Sequence, residues 1–202
     1  MTNHDPRPKR YDRAYFDKWY RDERINSPAE IRRKVVLAVA AAEYFLQRSV
    51  RSALDVGCGE GQWQLHLRAI RPRIRYLGLD SSAYVVRQFG KARNIRRATF
   101  GELPSLHLAQ TFDLIVCSDV LHYVGDSEIR SGAREIARLC KGVAYLEVLT
   151  KEDDVVGDLE GLISRPAAWY RKTFERAGLV HVGPYTWLGK PLQPIASALE
   201  TV

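Results

Sequence analysis

From Ser52 onward the chain alternates short aliphatic runs with stretches of helical period, and this alternation constrains the fold more than any other feature. The runs 52–56 (SALDV), 74–79 (IRYLGL), 97–100 (RATF), 113–117 (DLIVC) and 143–149 (VAYLEVL) read as strands. Helices are expected near 60–70, 82–91, 127–139 and 166–177, the last stopped by Gly178 as a C-cap. Strands that alternate with helices imply right-handed crossovers and a mostly parallel sheet covered on both faces. The tail beyond Leu179 reads as two strands around a turn at Gly189-Lys190-Pro191. The expected architecture is therefore α/β: a doubly wound, mostly parallel, seven-stranded sheet with one antiparallel strand near the C-terminus.

Ahead of that pattern lies an N-terminal helical extension. Tyr11, Tyr15, Phe16, Trp19 and Tyr20 recur at spacings that place them on one helical stripe. Ser27-Pro28-Ala29-Glu30 then reads as an N-cap with proline at the first helical position, opening a longer helix through Leu46. Residues 1–49 are read as a helical cap or lid belonging to the same domain, and residues 50–202 as a Rossmann-like core. With 202 residues, 46% of them hydrophobic and 27% charged, the chain has the composition of one globular domain.

Composition also excludes several classes. No run approaches the roughly 18 uncharged residues of a membrane span, and the opening MTNHDPRPKRYD has no apolar core of a secretory signal. Three cysteines, Cys58, Cys117 and Cys140, are odd in number and widely spaced, which argues against a disulfide framework and against structural zinc. The five histidines show no ligand-like spacing, so no metal site is expected. A cytoplasmic location follows as the expectation. The net charge is +7, and residues 1–34 hold ten Lys or Arg against six Asp or Glu. Such an arm suits RNA or an anionic surface, but a solvated, salt-bridged helix face is the weightier reading, so no specific nucleic-acid partner is expected.

The strongest local signal is Leu54-Asp55-Val56-Gly57-Cys58-Gly59-Glu60-Gly61, which follows a strand and opens a helix. Glycines there permit a tight turn and let the backbone approach a ligand, with the next helix's amides facing it. The dinucleotide fingerprint wants glycines at positions 1, 3 and 6, whereas Gln62 stands at position 6 and the third glycine comes one earlier. Asp80 closes a strand 23 residues beyond Gly57, where a carboxylate accepts the hydroxyls of a ribose. That identifies a nucleoside and leaves the reaction open.

LDVGCGEG, then YLGLD, GEL and FDLIVCSDVLHYV, resembles the class I S-adenosylmethionine-dependent methyltransferases over roughly residues 50–150. The resemblance implies that Asp55, Gly57, Cys58 and Gly59 lie along the methionine part of that cofactor, with Asp80 on the ribose diol and Ser81 beside it. It implies that Glu102 and Leu103 meet the adenine, and that Ser118 and Asp119 lie beside the transferable methyl. His122, just past the fourth strand, is the candidate general base, because a side chain titrating near neutrality can take a proton from a hydroxyl or amine. Tyr15 and Trp19 of the aromatic stripe, with Trp169 and Tyr170 at a later helix start, are the candidate acceptor-pocket residues.

The segment Cys117-Ser118-Asp119-Val120 lacks the prolines that resemblance would require of DNA-amino and cytosine-carbon methylases. The expected activity is S-adenosylmethionine-dependent methylation of a small molecule at oxygen or nitrogen. The rivals are an RNA methyltransferase or RNA-binding module using the basic arm, and a nicotinamide-dependent oxidoreductase.

Overall fold

The computed structural model describes residues 9–22, 27–154 and 157–202. The N-terminal basic residues Arg7 and Arg24 lie outside them. Five parallel strands form most of the sheet: β1 (Ser52–Val56), β2 (Arg75–Asp80), β3 (Ile95–Arg97), β4 (Phe112–Ser118) and β5 (Cys140–Glu147). Two short strands, β6 (Val180–Gly183) and β7 (Thr186–Leu188), complete seven strands in the order β3-β2-β1-β4-β5-β7-β6. β7 runs antiparallel to both of its neighbours, which is the antiparallel strand expected near the C-terminus.

Central strands of a sheet covered on both faces are buried along their whole length, and β1 is. The period of two then decides which layer each β4 residue meets. Leu114 and Val116 face the layer of α2 (Pro28–Leu46), while Ile115 and Cys117 face the opposite layer of α5 (Asp126–Leu139) and α6 (Ala167–Arg176). α2 presents Ile31, Val35, Ala38, Val39, Ala42 and Phe45 to the sheet, the three-to-four spacing of an amphipathic helix. It is thus an integral layer of the fold, which leaves the shorter α1 (Arg13–Trp19) as the element above the strand ends. On the remaining part of the sheet lie α3 (Gln62–Ile70) and α4 (Ala83–Arg93).

Two boundaries differ from expectation for identifiable reasons. β3 stops at Arg97 and not at Phe100, because Thr99 opens a turn in which its amide donates to the Glu102 carboxylate at 2.8 Å. The terminal hairpin turns at Pro184-Tyr185, where Tyr185 adopts φ +54°, and not at Gly189-Lys190-Pro191. Gly189 is instead needed where its backbone runs against Cys140, and Lys190–Ile195 winds into a 3-10 helix.

The sheet order places the site. β1 and β4 are neighbours from which successive connections lead outward in opposite directions, so a crevice opens beyond their C-terminal ends. Val56, Asp80, Ser118 and Glu147 end the four strands that reach it.

Candidate functional site

The loop after β1 is tied to the next strand by its own backbone: the amides of Gly57 and Cys58 both donate to the Leu79 carbonyl, at 2.7 and 3.0 Å. Gly57 takes φ +75°, and a Cβ there would run into the Val120 side chain. Gly59 takes φ +51°, and a Cβ there would occupy the space of the Tyr20 ring. The sequence pattern of glycines therefore reflects both turn geometry and close approach.

Asp80 is held by two amides, Gly59 N–H to Oδ2 at 2.7 Å and Ser82 N–H to Oδ1 at 2.8 Å. These fix the carboxylate at the strand tip and leave lone pairs for further donors. Burial nonetheless pushes its pKa above the ordinary carboxylate value. Asp55 is more extreme. Only 2% exposed, with the Tyr76 hydroxyl donating to it at 2.7 Å, it is pushed up to about 7 by burial, partly offset by that hydrogen bond.

Two connected compartments lie over this loop. The first is bounded by Asp80, Ser81, Thr99, Phe100 and Gly101, with Tyr11 and Phe16 above. The second is bounded by Asp55, Cys58, Trp63, Ser118, Tyr15 and Trp19. Tyr15, Tyr20, Gly57, Asp119, Val120 and Tyr123 border both. The cover is α1. Phe16 packs with Cys58, Val85 and Ile95, Arg21 forms a two-pronged pair with Glu60 at 3.0 Å, and the Ser82 hydroxyl donates to the Tyr11 carbonyl at 2.5 Å.

The structure brings together Asp55, Gly57, Cys58, Asp80, Ser81, Ser118, Tyr15 and Trp19, as the sequence led us to expect. Gly59 joins them through its amide bond to Asp80. One further expectation is adjusted and three are corrected. Glu102 lines a shallow recess with Ser81, Ala98 and Thr99 that adjoins the first compartment, and it caps the turn at Thr99, which holds its pKa below the usual carboxylate range. Leu103 is fully buried in the core, and from this segment it is Ala98–Gly101 that border the first compartment. Tyr170 is buried against Phe174 and accepts a hydrogen bond from Arg165 at 3.1 Å, and Trp169 stacks with Arg165, so both belong to the packing of α6.

His122 is the third correction. It is 0% exposed and borders neither compartment, so it does not reach an acceptor. Its Nδ1 accepts the Leu149 amide at 3.3 Å, and burial pushes its pKa down to about 4. The ring is therefore neutral with its proton on Nε2, which points at the Asp119 carboxylate 3.5 Å away.

Sequence reasoning missed Tyr20 and Lys34, which line the second compartment, and Glu147, which reaches it only through Lys34 and Ser118. Tyr20 lay in the aromatic stripe, and Lys34 was hidden in the basic run. Glu147 carried a signal, a single charge inside the apolar run VAYLEVL; it takes the Lys34 ammonium at 2.7 Å and a hydrogen bond from the Ser118 hydroxyl.

A nucleoside-bearing cofactor with a cationic amino-acid end fits this donor set: a strand-tip carboxylate for the ribose, a glycine cradle closed to any Cβ, and a buried carboxyl at the far end. Residues 54–145 match the model of the methyltransferase domain family. Over that span, just under half of its length, the chain is similar to the class I S-adenosylmethionine-dependent methyltransferases. Solved structures agree on its fold. A sugar N-methyltransferase from a Streptoalloteichus species superposes with a TM-score of 0.68 at 17% identity, covering 86% of this chain and 92% of that one. The plantazolicin methyltransferase, solved with an S-adenosylhomocysteine ligand, superposes at 0.64 with 19% identity, covering 84% and 71%. An O-methyltransferase family protein from Burkholderia thailandensis gives 0.52 at 17% identity, covering 82% of this chain, which spans only 57% of it. Comparison with curated proteins finds no sequence relative. None of these comparisons supports a nicotinamide oxidoreductase or an RNA module.

Proposed function

We propose that this methyltransferase acts on a small-molecule acceptor, at oxygen or nitrogen, within the compartment roofed by α1. The observation that carries the proposal is a partly enclosed recess lined by Tyr15, Trp19 and Tyr20 together with Ser118 and Asp119 beside the glycine loop. A long polymer needs an open channel, whereas this arrangement suits a compact molecule. The O- and N-methyltransferases among the superposed structures support the same reading.

S-adenosylmethionine, when bound, supplies an electrophilic methyl on a sulfonium. The chain's own work is to bind and orient. Asp80 receives the ribose hydroxyls on the lone pairs that its two backbone amides leave. Asp55 offers its buried carboxyl to the cofactor's cationic amino end. Ser81 and Thr99–Gly101 border the compartment in which the adenosine end would lie, with Glu102 beside it. With S-adenosylmethionine bound, the α1 side chains would limit water and hold the acceptor beside the methyl, and such positioning would supply most of the acceleration.

We further assign residues 1–49 to the same domain as the core. A reducing, cytoplasmic setting suits three buried free thiols, and no helix among the described residues is long and apolar enough to cross a membrane. Among the described residues, much of the basic N-terminal charge is paired within the molecule: Lys9 with Asp158, Arg13 with Asp17, Arg21 with Glu60 and Lys34 with Glu147. That supports a small-molecule acceptor over nucleic acid.

The test is to incubate the protein with methyl-labelled S-adenosylmethionine and a fractionated cell extract. Label is expected in a low-molecular-weight fraction with matching formation of S-adenosylhomocysteine. Label confined to RNA would overturn the proposal.

A further inference from the structure

We propose that the acceptor is an amine, bound as its ammonium ion between aromatic rings, and that Asp119 takes the proton from it before methyl transfer. The inference rests on the reading above and names the class of acceptor. Four observations lead to it.

The second compartment is walled by the rings of Tyr15, Trp19, Trp63 and Tyr123. Electron-rich ring faces attract cations, and such cages are a recurring way of recognising alkylammonium groups. The molecule already uses one of these rings so: the Lys9 ammonium lies 3.9 Å from the centre of Tyr123.

The charges facing this space are predominantly negative. Lys34 is matched by Glu147 at 2.7 Å and Glu30 at 3.3 Å, and Lys9 by Asp158. Asp119 stands apart. Among the described residues its ion-pair contact is with His122 alone, whose ring is neutral, while Lys34 and Lys9 act on it only at longer range. An ammonium ion arriving here meets one unmatched carboxylate at the junction of the cofactor and acceptor compartments.

Asp119 is a residue type suited to its position. Its backbone adopts φ +62°, a conformation that L residues other than Asn and Asp rarely take. The residue borders both compartments, with its side chain open to the shared space.

His122 completes the arrangement. Its buried Nε2 has no hydrogen-bond partner in the structure, and it points at Asp119. A buried N–H without a full bond is costly, and it is aimed at the carboxylate. His122 is thus a positioning residue, and Asp119 is the group that meets the acceptor.

The chemistry balances. A free alkylammonium titrates near 10 and has no lone pair at neutral pH. Asp119 accepts one N–H proton, which frees the lone pair. That pair forms the new N–C bond as the S–C bond breaks, and the sulfur keeps the electrons of the broken bond. The product leaves as a methylated ammonium ion, and the proton on Asp119 passes to solvent. An alcohol, titrating close to water's ~15.7, gains little from a carboxylate and nothing from a cation cage.

The test uses the full-length protein loaded with S-adenosylhomocysteine. It is titrated with choline and with 3,3-dimethylbutan-1-ol, the uncharged carbon isostere, and read by tryptophan fluorescence. Choline is expected to bind at least tenfold tighter than its isostere. Asp119→Asn, which tolerates the same backbone conformation, should cut choline affinity at least fivefold. It should leave binding of the isostere and of S-adenosylhomocysteine unchanged. His122→Leu should lower choline affinity selectively, and His122→Gln, which keeps an N–H donor, should restore most of it. In turnover, a panel of amines should release S-adenosylhomocysteine where the matching alcohols do not. Equal binding of choline and its isostere, or an Asp119→Asn variant that binds choline as well as wild type, would overturn the proposal. Failure of the methyltransferase reading shows separately, as absent S-adenosylhomocysteine binding to wild type, and removes this proposal with it.

Discussion

Asp55 makes folding and cofactor binding depend on pH in a direction that can be worked out. Its pKa rises from 3.8 to about 7 because its carboxyl is buried, with the Tyr76 hydroxyl as its donor. A group whose folded pKa is raised stabilises the fold while protonated, so its contribution is complete below 3.8 and is lost as pH rises through about 7. Between pH 5 and 8 the loss integrates to about 2–3 kcal/mol. Asp55→Asn cannot ionise, keeps an oxygen for Tyr76, and should escape the loss. Urea unfolding of both proteins at pH 5, 6, 7 and 8 measures the difference directly, because other titrating groups cancel between them. Wild type should weaken relative to the variant as pH rises, most steeply between pH 5 and 6.5, and level off above about 7. In the same window S-adenosylhomocysteine, with its cationic amino group, should bind wild type more tightly as pH rises, while the variant binds weakly at every pH. A stability difference that stays flat to within ~0.5 kcal/mol between pH 5 and 8 would refute the reasoning.

Three further outcomes follow from the same geometry. Asp80→Ala should weaken S-adenosylhomocysteine binding by about 2–3 kcal/mol, the scale of hydrogen bonds to a charged group, and calorimetry giving less than ~0.5 kcal/mol would mean that Asp80 does not hold the ribose. Deleting residues 1–22 should leave a folded core, since α2 and not α1 forms the sheet's covering layer. Binding should weaken and transfer activity should largely disappear; circular dichroism showing an unfolded chain would make α1 part of the core. Arg165→Met should cost about 2–3 kcal/mol in urea unfolding, because the 5%-exposed Arg165 donates to the Val124 carbonyl, the Tyr170 hydroxyl and Asp126. No change in midpoint would contradict that role.

The sequence was most legible where burial is symmetric. β1 and β4 sit between two helical layers, so their residues form near-continuous apolar runs, and the glycines after β1 mark a turn that side chains cannot occupy. β3 was misplaced because Ala98, Thr99 and Phe100 have strand composition, while the Glu102 cap that bends them away depends on a contact three residues ahead. The terminal turn was misplaced because glycine and proline mark close backbone approach as readily as reversal, and Gly189 serves the former against Cys140. Site residues depended on orientation. Ser118 ends β4 and Asp119 directly follows it at the mouth of the crevice, whereas the facing of His122 is set by the Leu149 amide, 27 residues away in sequence. Trp169 and Tyr170 looked like a rim and proved to be packing, because Arg165 beneath them is itself buried.

The central claim is that the crevice beyond β1 and β4 holds S-adenosylmethionine through Asp80 and the glycine loop. Isothermal titration of the full-length protein with S-adenosylhomocysteine, and in parallel with NAD, tests it most directly. The account predicts saturable one-to-one binding of S-adenosylhomocysteine, weakened by Asp80→Ala, and no heat from NAD; binding of NAD with none of S-adenosylhomocysteine would contradict it.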